Sequence, residues 1–332
     1  MTMWMVRAER KGVLFDSFIE GEIVAIGWSE IGDFTASPNL ERMFAACQRA
    51  FPENTDFTNK IAAGQVYRFI TEVAEGDHVV SYDPSRRVYA VGMITGSASY
   101  RIGHLADGEH SWPNVRPVKW IDEVKRDDLS QPARNTLGSL LTLFQLKPSV
   151  ESEILSRLKG TPVPSEPADD DPEAAGTEID MEERSIEFIS DMVARLSPNQ
   201  MEEFVAGLLR AMGYATRISP PGPDRGEDIR ATPDALGLQD PRIIVEVKHR
   251  AGAIGAPDLR GFLGGRHSND KGLYVSTGGF TKDARYEAAR ANIPLQLLTL
   301  EDLVELVVQY YDRLDVETRA MVPLKRIYWP IL

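Results

Sequence analysis

Two carboxylates and a lysine stand apart from the other charged residues in the second half of the chain. Asp228 opens a strand-like stretch after a Gly- and Pro-rich loop, residues 220–226. Glu246-Val247-Lys248 then closes the β-branched run Ile243-Ile244-Val245. Strand alternation puts Glu246 and Lys248 on one face and turns Val247 into the packing. Carboxylates converging from neighbouring strands make a hard oxygen site of the kind magnesium prefers, with manganese as a substitute. A lysine beside them can orient or deprotonate a water and offset phosphoryl charge. The plain alternative is that Glu246 and Lys248 form an ordinary ion pair. Against it stands the apolar run before them, which marks a central strand, where charges are costly unless paired or used.

Cysteine and histidine chemistry is thin by comparison. The single Cys47 excludes an internal disulfide and a thiolate zinc site, and the five histidines are scattered. A net charge of −13 argues against nonspecific coating of DNA. A local basic groove remains open, because part of the acidity lies in one segment. Basic residues do gather around the Glu246 strand: Arg242, Lys248, His249, Arg250, Arg260 and Arg266. Of these, His249, Arg250, Arg260 and Arg266 are candidates for positioning a phosphate backbone, with ordinary solvated charge as the alternative. Gly278-Gly279 ahead of Thr281 sets a turn at a helix start, where free N–H groups can face a phosphate, which makes Thr281 a nucleic-acid-binding candidate. Thr281 reads equally as a plain N-cap.

The elements that must hold these groups follow from periodicity. Length, 332 residues, fits two domains, and 42% apolar residues give each a core. Residues 159–183 are rich in Pro, Ala and acid and keep no regular period. They read as a solvated linker, or alternatively as an acidic DNA mimic. A first domain, 1–158, precedes them and a second, 184–332, follows. In the second, helices are expected at 186–196, 199–212, 257–264, 281–291 and 300–312. Strands are expected at 215–219, 228–231, 242–248, 272–276 and 295–298. The alternation means an α/β domain with a mixed central sheet. In the first, strands at 22–28, 78–82, 88–94 and 115–120 with helices at 40–51 and 61–73 suggest a small α+β barrel. No stretch reaches the roughly 20 apolar residues of a membrane span. The N-terminus reads as a strand and not a signal peptide, so a cytoplasmic protein is expected.

Four separated motifs resemble the Mrr-type restriction endonuclease catalytic domain. They are Met201-Glu202-Glu203-Phe204-Val205 with Leu208-Leu209 and Met212-Gly213-Tyr214; Asp224-Arg225-Gly226-Glu227-Asp228-Ile229; Val245-Glu246-Val247-Lys248; and residues 273–281. The resemblance implies the PD-(D/E)xK nuclease fold, with Asp228, Glu246 and Lys248 catalytic. A metal would be held by Asp228, Glu246 and the Val247 carbonyl. Glu202 aligns with a helix glutamate near the metal-bound water, or is a helix-surface charge. Mrr-type domains often carry Gln where this chain has Glu246. The glutamate restores the commoner two-carboxylate pattern.

The first domain carries no carboxylate–lysine set, but many aromatics. Its motif order is similar to PUA-like domains that include the EVE group: residues 25–28, Gly76-Asp77 with Val79-Val80, 89–92 and Val118-Lys119-Trp120. That resemblance implies a pocket for a modified or flipped base, with Trp28, Tyr82, Tyr89 and Trp112 as stacking candidates and core packing as the alternative. The combined expectation is a modification-dependent DNA endonuclease of the type IV-like restriction class, acting in defence on double-stranded DNA. A nuclease effector gated by a small nucleotide is the rival. The helix at 300–312 is apolar around most of its circumference, through Leu303, Val304, Leu306, Val307, Val308, Tyr310 and Tyr311. It suggests a homodimer or larger even oligomer, or else burial under the C-terminal tail.

Overall fold

The computed structural model describes residues 2–106, 110–139, 141–160, 178–220, 227–250 and 252–326, with side chains except in 178–184. The chain divides into two units, residues 1–175 and 176–332. Most of the expected linker, 161–177, lies outside the described residues, and a helix already begins at Glu178 within its last part.

The first unit runs β1 (Met3–Val6), α1 (Phe15–Glu20), β2 (Ile23–Ile26), α2 (Leu40–Ala50), α3 (Asp56–Thr71), β3 (His78–Asp83), β4 (Val88–Ile94), β5 (Ser99–Tyr100), β6 (Asn114–Lys125), α4 (Gln131–Leu137), β7 (Leu143–Gln145) and α5 (Pro148–Leu158). Its sheet has the order β2-β6-β4-β3-β1-β7, with β5 also on β6. All pairings are antiparallel except β1 with β3. The long β6 bends: its first residues pair with β2 and β5, the rest with β4 across a bulge at Val91/Gly92. A Cβ on Gly92 would sit 2.5 Å from Val118 Cγ1, so glycine permits that close crossing. Among the described residues no ladder joins β2 to β7. Among the described residues the sheet is open, with β2 and β7 as its edges, and so shows part of the small α+β barrel expected; one face packs Trp4, Val79 and Ala90 with α1–α3 and the other packs Tyr82, Tyr89 and Val91 with α4 and α5.

The second unit runs α6 (Glu178–Val193), α7 (Pro198–Ala211), β8 (Ala215–Ile218), β9 (Ile229–Thr232), β10 (Arg242–Lys248), α8 (Ala256–Gly264), β11 (Asp270–Ser276), α9 (Lys282–Ala289), β12 (Leu295–Thr299), α10 (Leu300–Tyr310) and α11 (Val316–Met321). Its sheet order is β12-β11-β10-β9-β8. β10 runs parallel to β11 and antiparallel to β9, so the sheet is mixed and β10 is central. Val245, Val247, Ile229 and Val275 pack under α7 and α10, while Ile244, Tyr274 and Phe262 form a separate cluster on the opposite face. α7 starts on a capping box, Ser197 with Gln200, and a proline at its first turn.

α10 is not the free surface its composition suggested. Leu303, Val304 and Val307 are buried in the unit's own core, and Leu306, Tyr310 and Tyr311 pack against it. The Tyr311 hydroxyl accepts from the Leu324 N–H and donates to the Val322 carbonyl. Of the seven apolar residues, only Val308 is exposed, at 41%. Packing against α6, α7 and the sheet, with Val322 and Leu324 closing over Tyr311, explains the apolar circumference. Among the described residues, no helix is long and apolar enough to cross a membrane.

Candidate active site

β10 ends in charge because its last residues emerge where the ladder with β9 has stopped. Pairing with β9 covers Ile243, Ile244 and Val245. Asp228, just before β9, continues the contact in another form. Its N–H donates to the Val245 carbonyl at 2.9 Å, and its Oδ2 accepts from the Val247 N–H at 2.6 Å. A carboxylate thus replaces the next rung of the ladder, fixing Asp228 against β10. On strand alternation the Val247 carbonyl faces the same edge as that of Val245, toward Asp228. The Val247 side chain turns the other way, into the core beneath α7.

Glu246 and Lys248 lie on the opposite face of β10 from Val247, as their spacing requires. Glu246 is buried, and its Oε1 meets Lys248 Nζ at 2.5 Å. The ion pair foreseen as an alternative therefore exists, yet it engages one oxygen of a two-oxygen group next to a second buried carboxylate, Asp228. Tyr274, the cross-strand partner of Glu246 on β11, was not singled out in the sequence. Burial, then the charge of Glu246, pushes its phenol well above the ordinary range, so it stays protonated beside that carboxylate. Only strand register brings Tyr274 and Glu246 together.

Among the described residues no cluster of three or more acidic, histidine or cysteine side chains is assembled. A divalent metal here would take two carboxylates, a backbone carbonyl and water. That suits magnesium, which keeps several waters and uses one or two carboxylates. The donor set fits such an ion.

The remaining site residues divide. Glu202 is half-buried in the second turn of α7, the helix over the Val247 face. His249 is not turned out to solvent as a phosphate contact would be: Nε2 lies 2.6 Å from the Leu196 carbonyl and Nδ1 3.2 Å from Thr277 Oγ1. Arg250 pairs with Asp258 at 3.3 Å and Arg260 with Glu287 at 3.1 Å, both arginines more than half exposed. Arg266, just beyond α8, folds back on that helix, donating to the Phe262 carbonyl and stacking over the Phe262 ring. Thr281 is the N-cap of α9, accepting from the Ala284 N–H. The acidic loop residues Asp224, Arg225 and Gly226 lie outside the described residues.

In the first unit the aromatic candidates are mostly core. Tyr89 is fully buried and stacks on Tyr82 at 4.5 Å, and Trp112 is buried with its indole N–H on Glu9. Two rings already stacked in a core cannot accept a base between them without opening it. Trp28 is the exception: it is half-buried and holds a left-handed backbone, φ 62°.

The mixed five-stranded sheet, with an acid and an acid–lysine pair meeting at the end of its central strand, defines a restriction-endonuclease-like α/β domain. Residues 193–307 match the family model of the restriction endonuclease domain Mrr_cat, so the second unit carries an Mrr-type restriction endonuclease domain. Residues 4–147 match a domain of unknown function, DUF8426. No curated protein matches the chain. Similar solved structures include the MspJI restriction endonuclease in complex with a 27-mer oligonucleotide, at 14% identity, covering 80% of this chain and 69% of that one, TM-score 0.33. Another is the DNA modification-dependent restriction endonuclease AspBHI, at 15% identity, covering 85% and 72%, TM-score 0.33. TM-scores of 0.33 are too low to equate the folds, and the assignment rests on the family match.

Proposed function

We propose that the chain is a modification-dependent DNA endonuclease, with phosphodiester hydrolysis in the second unit and base reading in the first. The observation that carries it is the convergence of Asp228 and Glu246, with Lys248 bonded to one of them, at the end of β10 in a domain of a nuclease family. Asp228, Glu246 and the Val247 carbonyl are the groups to hold a divalent ion, magnesium or manganese. Bound there, such an ion supplies Lewis acidity to a phosphoryl oxygen and lowers the pKa of a water.

The chain's own residues do the rest. The Val247 N–H locks one Asp228 oxygen and so fixes the direction of the other. Lys248, held by Glu246 and 32% exposed, can reach a phosphate entering from solvent and offset its growing charge. Arg250 and Arg260 stand exposed, where a duplex backbone would pass. The first unit, read as a PUA-like module, would bind the modified base. Trp28 is the aromatic among its four candidates that combines remaining exposure with an unusual backbone.

The test uses the full chain with magnesium or manganese on matched duplexes. One carries ordinary bases, others methylated or hydroxymethylated cytosine or methylated adenine. Cleavage of one modified duplex, abolished by EDTA, is expected. Equal cleavage of all duplexes would remove the reader role. Cleavage appearing only with an added nucleotide would favour a ligand-gated effector. No cleavage under any condition would overturn the nuclease reading.

A further inference from the structure

His249 follows Lys248 directly and ties together three pieces of the active site. Its Nε2 sits 2.6 Å from the Leu196 carbonyl. Leu196 is buried and precedes Ser197, the N-cap of α7, so this contact reaches the start of the helix that carries Glu202. Its Nδ1 sits 3.2 Å from the hydroxyl of Thr277, at the end of β11. Thr277 is tied back in turn, since its N–H donates to the Lys248 carbonyl at 3.1 Å. Immediately beyond, Gly278 is pressed against the chain after His249: a Cβ there would lie 2.7 Å from the Arg250 carbonyl. A carbonyl can only accept, so Nε2 carries the proton, and in the neutral ring Nδ1 accepts from the Thr277 hydroxyl.

We propose that His249 is a positioning residue, an Nε2–H brace that sets the distance between the Lys248 end of β10 and the start of α7. The inference rests on the nuclease reading of this site. It replaces the phosphate-contact role that the basic cluster suggested, because both ring nitrogens are spent inside the unit. A brace acts on the reaction through geometry. Misplacing Lys248 relative to Asp228 and Glu202 lowers the rate of the chemical step and leaves DNA affinity almost unchanged.

The experiment compares wild type, His249→Leu and His249→Gln in the full chain. The glutamine amide nitrogen can donate near the Nε2 position, whereas leucine keeps bulk without a donor. Single-turnover cleavage by His249→Leu should fall by about 10- to 100-fold. Its dissociation constant for uncut duplex in EDTA should move by less than about threefold. His249→Gln should recover most of the rate. Weakened binding by His249→Leu with an unchanged saturated rate would show a phosphate contact and overturn the proposal. So would a His249→Gln variant as slow as the leucine variant while unfolding at the wild-type temperature. A second readout stands apart from cleavage. In protein labelled with ¹⁵N-histidine, the His249 ring should show its proton on Nε2. A proton on Nδ1 alone excludes the brace even in an active enzyme. If wild type cuts no duplex, the nuclease reading fails, and the ring measurement still decides the brace.

Discussion

Both units bury charge, but they use it differently. In the first, Asp77 accepts from the Thr2 N–H, the Trp4 indole N–H and the Ala74 N–H. Arg116, 3% exposed, donates to the carbonyls of Phe69, Gly96 and Ile70. Burial pulls its guanidinium down to about 10, with Asp77 opposing. These groups close chain ends: Arg116 caps the last carbonyls of α3, and Asp77 fastens β1. In the second unit, Asp228 also takes a backbone N–H, but its neighbours Glu246 and Lys248 are held against one another at the rim of the sheet, with Lys248 opening to solvent. Burial of an ionised group therefore does not mark a site. What sets the second unit apart is that two buried carboxylates and a lysine meet at the end of the central strand of its sheet.

The sharpest way to break this comparison is to neutralise each kind of charge. Asp228→Asn keeps an oxygen for the Val247 N–H, and Glu246→Gln keeps the shape, so both should fold. If these carboxylates hold the metal, cleavage should fall by roughly a thousandfold or more. The check is single-turnover cleavage beside a thermal melt. Wild-type rates in either variant would place the chemistry elsewhere.

Arg116→Met should do the reverse. Losing the guanidinium leaves buried carbonyls short of donors and should cost the first unit about 3 kcal/mol. Four of the five tryptophans, Trp4, Trp28, Trp112 and Trp120, lie in that unit, so tryptophan fluorescence in urea reports on it. The expected result is an earlier fluorescence transition. A transition unmoved by Arg116→Met would show that the three carbonyl contacts contribute little.

The two units were also unequally legible in the sequence. β10 was read with its boundaries intact, 242–248, because a β-branched run ending in Glu-Val-Lys has one natural register. The helices and strands of the second unit follow long periodic segments with caps such as Ser197 and Thr299. The first unit suggested a barrel because its strands and turns were visible, but whether a sheet closes depends on its edges, and no local pattern encodes that. The burial of Tyr82, Tyr89 and Trp112 was hidden for a related reason. Alternation tells which residues share a face, not which face is covered, and α4 and α5 cover Tyr82 and Tyr89. His249 looked like one more basic residue until Leu196, 53 positions earlier, was brought against it.

Gly278→Ala tests how tightly the rim of the second unit is built. A Cβ would come within 2.3 Å of the Gly252 carbonyl oxygen and 2.7 Å of that of Arg250, both backbone atoms that cannot rotate away. The strand ends would have to part, at about 1–3 kcal/mol, as for other overpacked sites. Because this contact adjoins His249, cleavage should also drop by roughly tenfold, which is about 1.4 kcal/mol on the barrier. Loss of stability without loss of rate would detach the loop from the site. The corresponding glycine of the first unit, Gly92, would show stability loss only.

The smallest effect concerns charge with no part in the chemistry. Burial pushes the Asp315 carboxyl up, but contacts from Thr318 and the charge of Arg210 outweigh it and hold the group down at about 2. Arg210 Nε donates to its Oδ2 at 2.8 Å, linking α7 to the start of α11. A carboxyl lower in the folded than in the unfolded state favours folding above the unfolded pKa near 3.9, and that contribution disappears as pH falls toward 2. With its side chain 33% exposed, solvent screening keeps the gain below about 1 kcal/mol. Asp315→Asn should therefore lower the stability of the second unit slightly at neutral pH and match wild type near pH 2. The measurement is urea unfolding by circular dichroism across that range. Asparagine caps a helix about as well as aspartate, so the bond accepted from the Thr318 N–H should survive, and a difference that persists at pH 2 would overturn the charge argument.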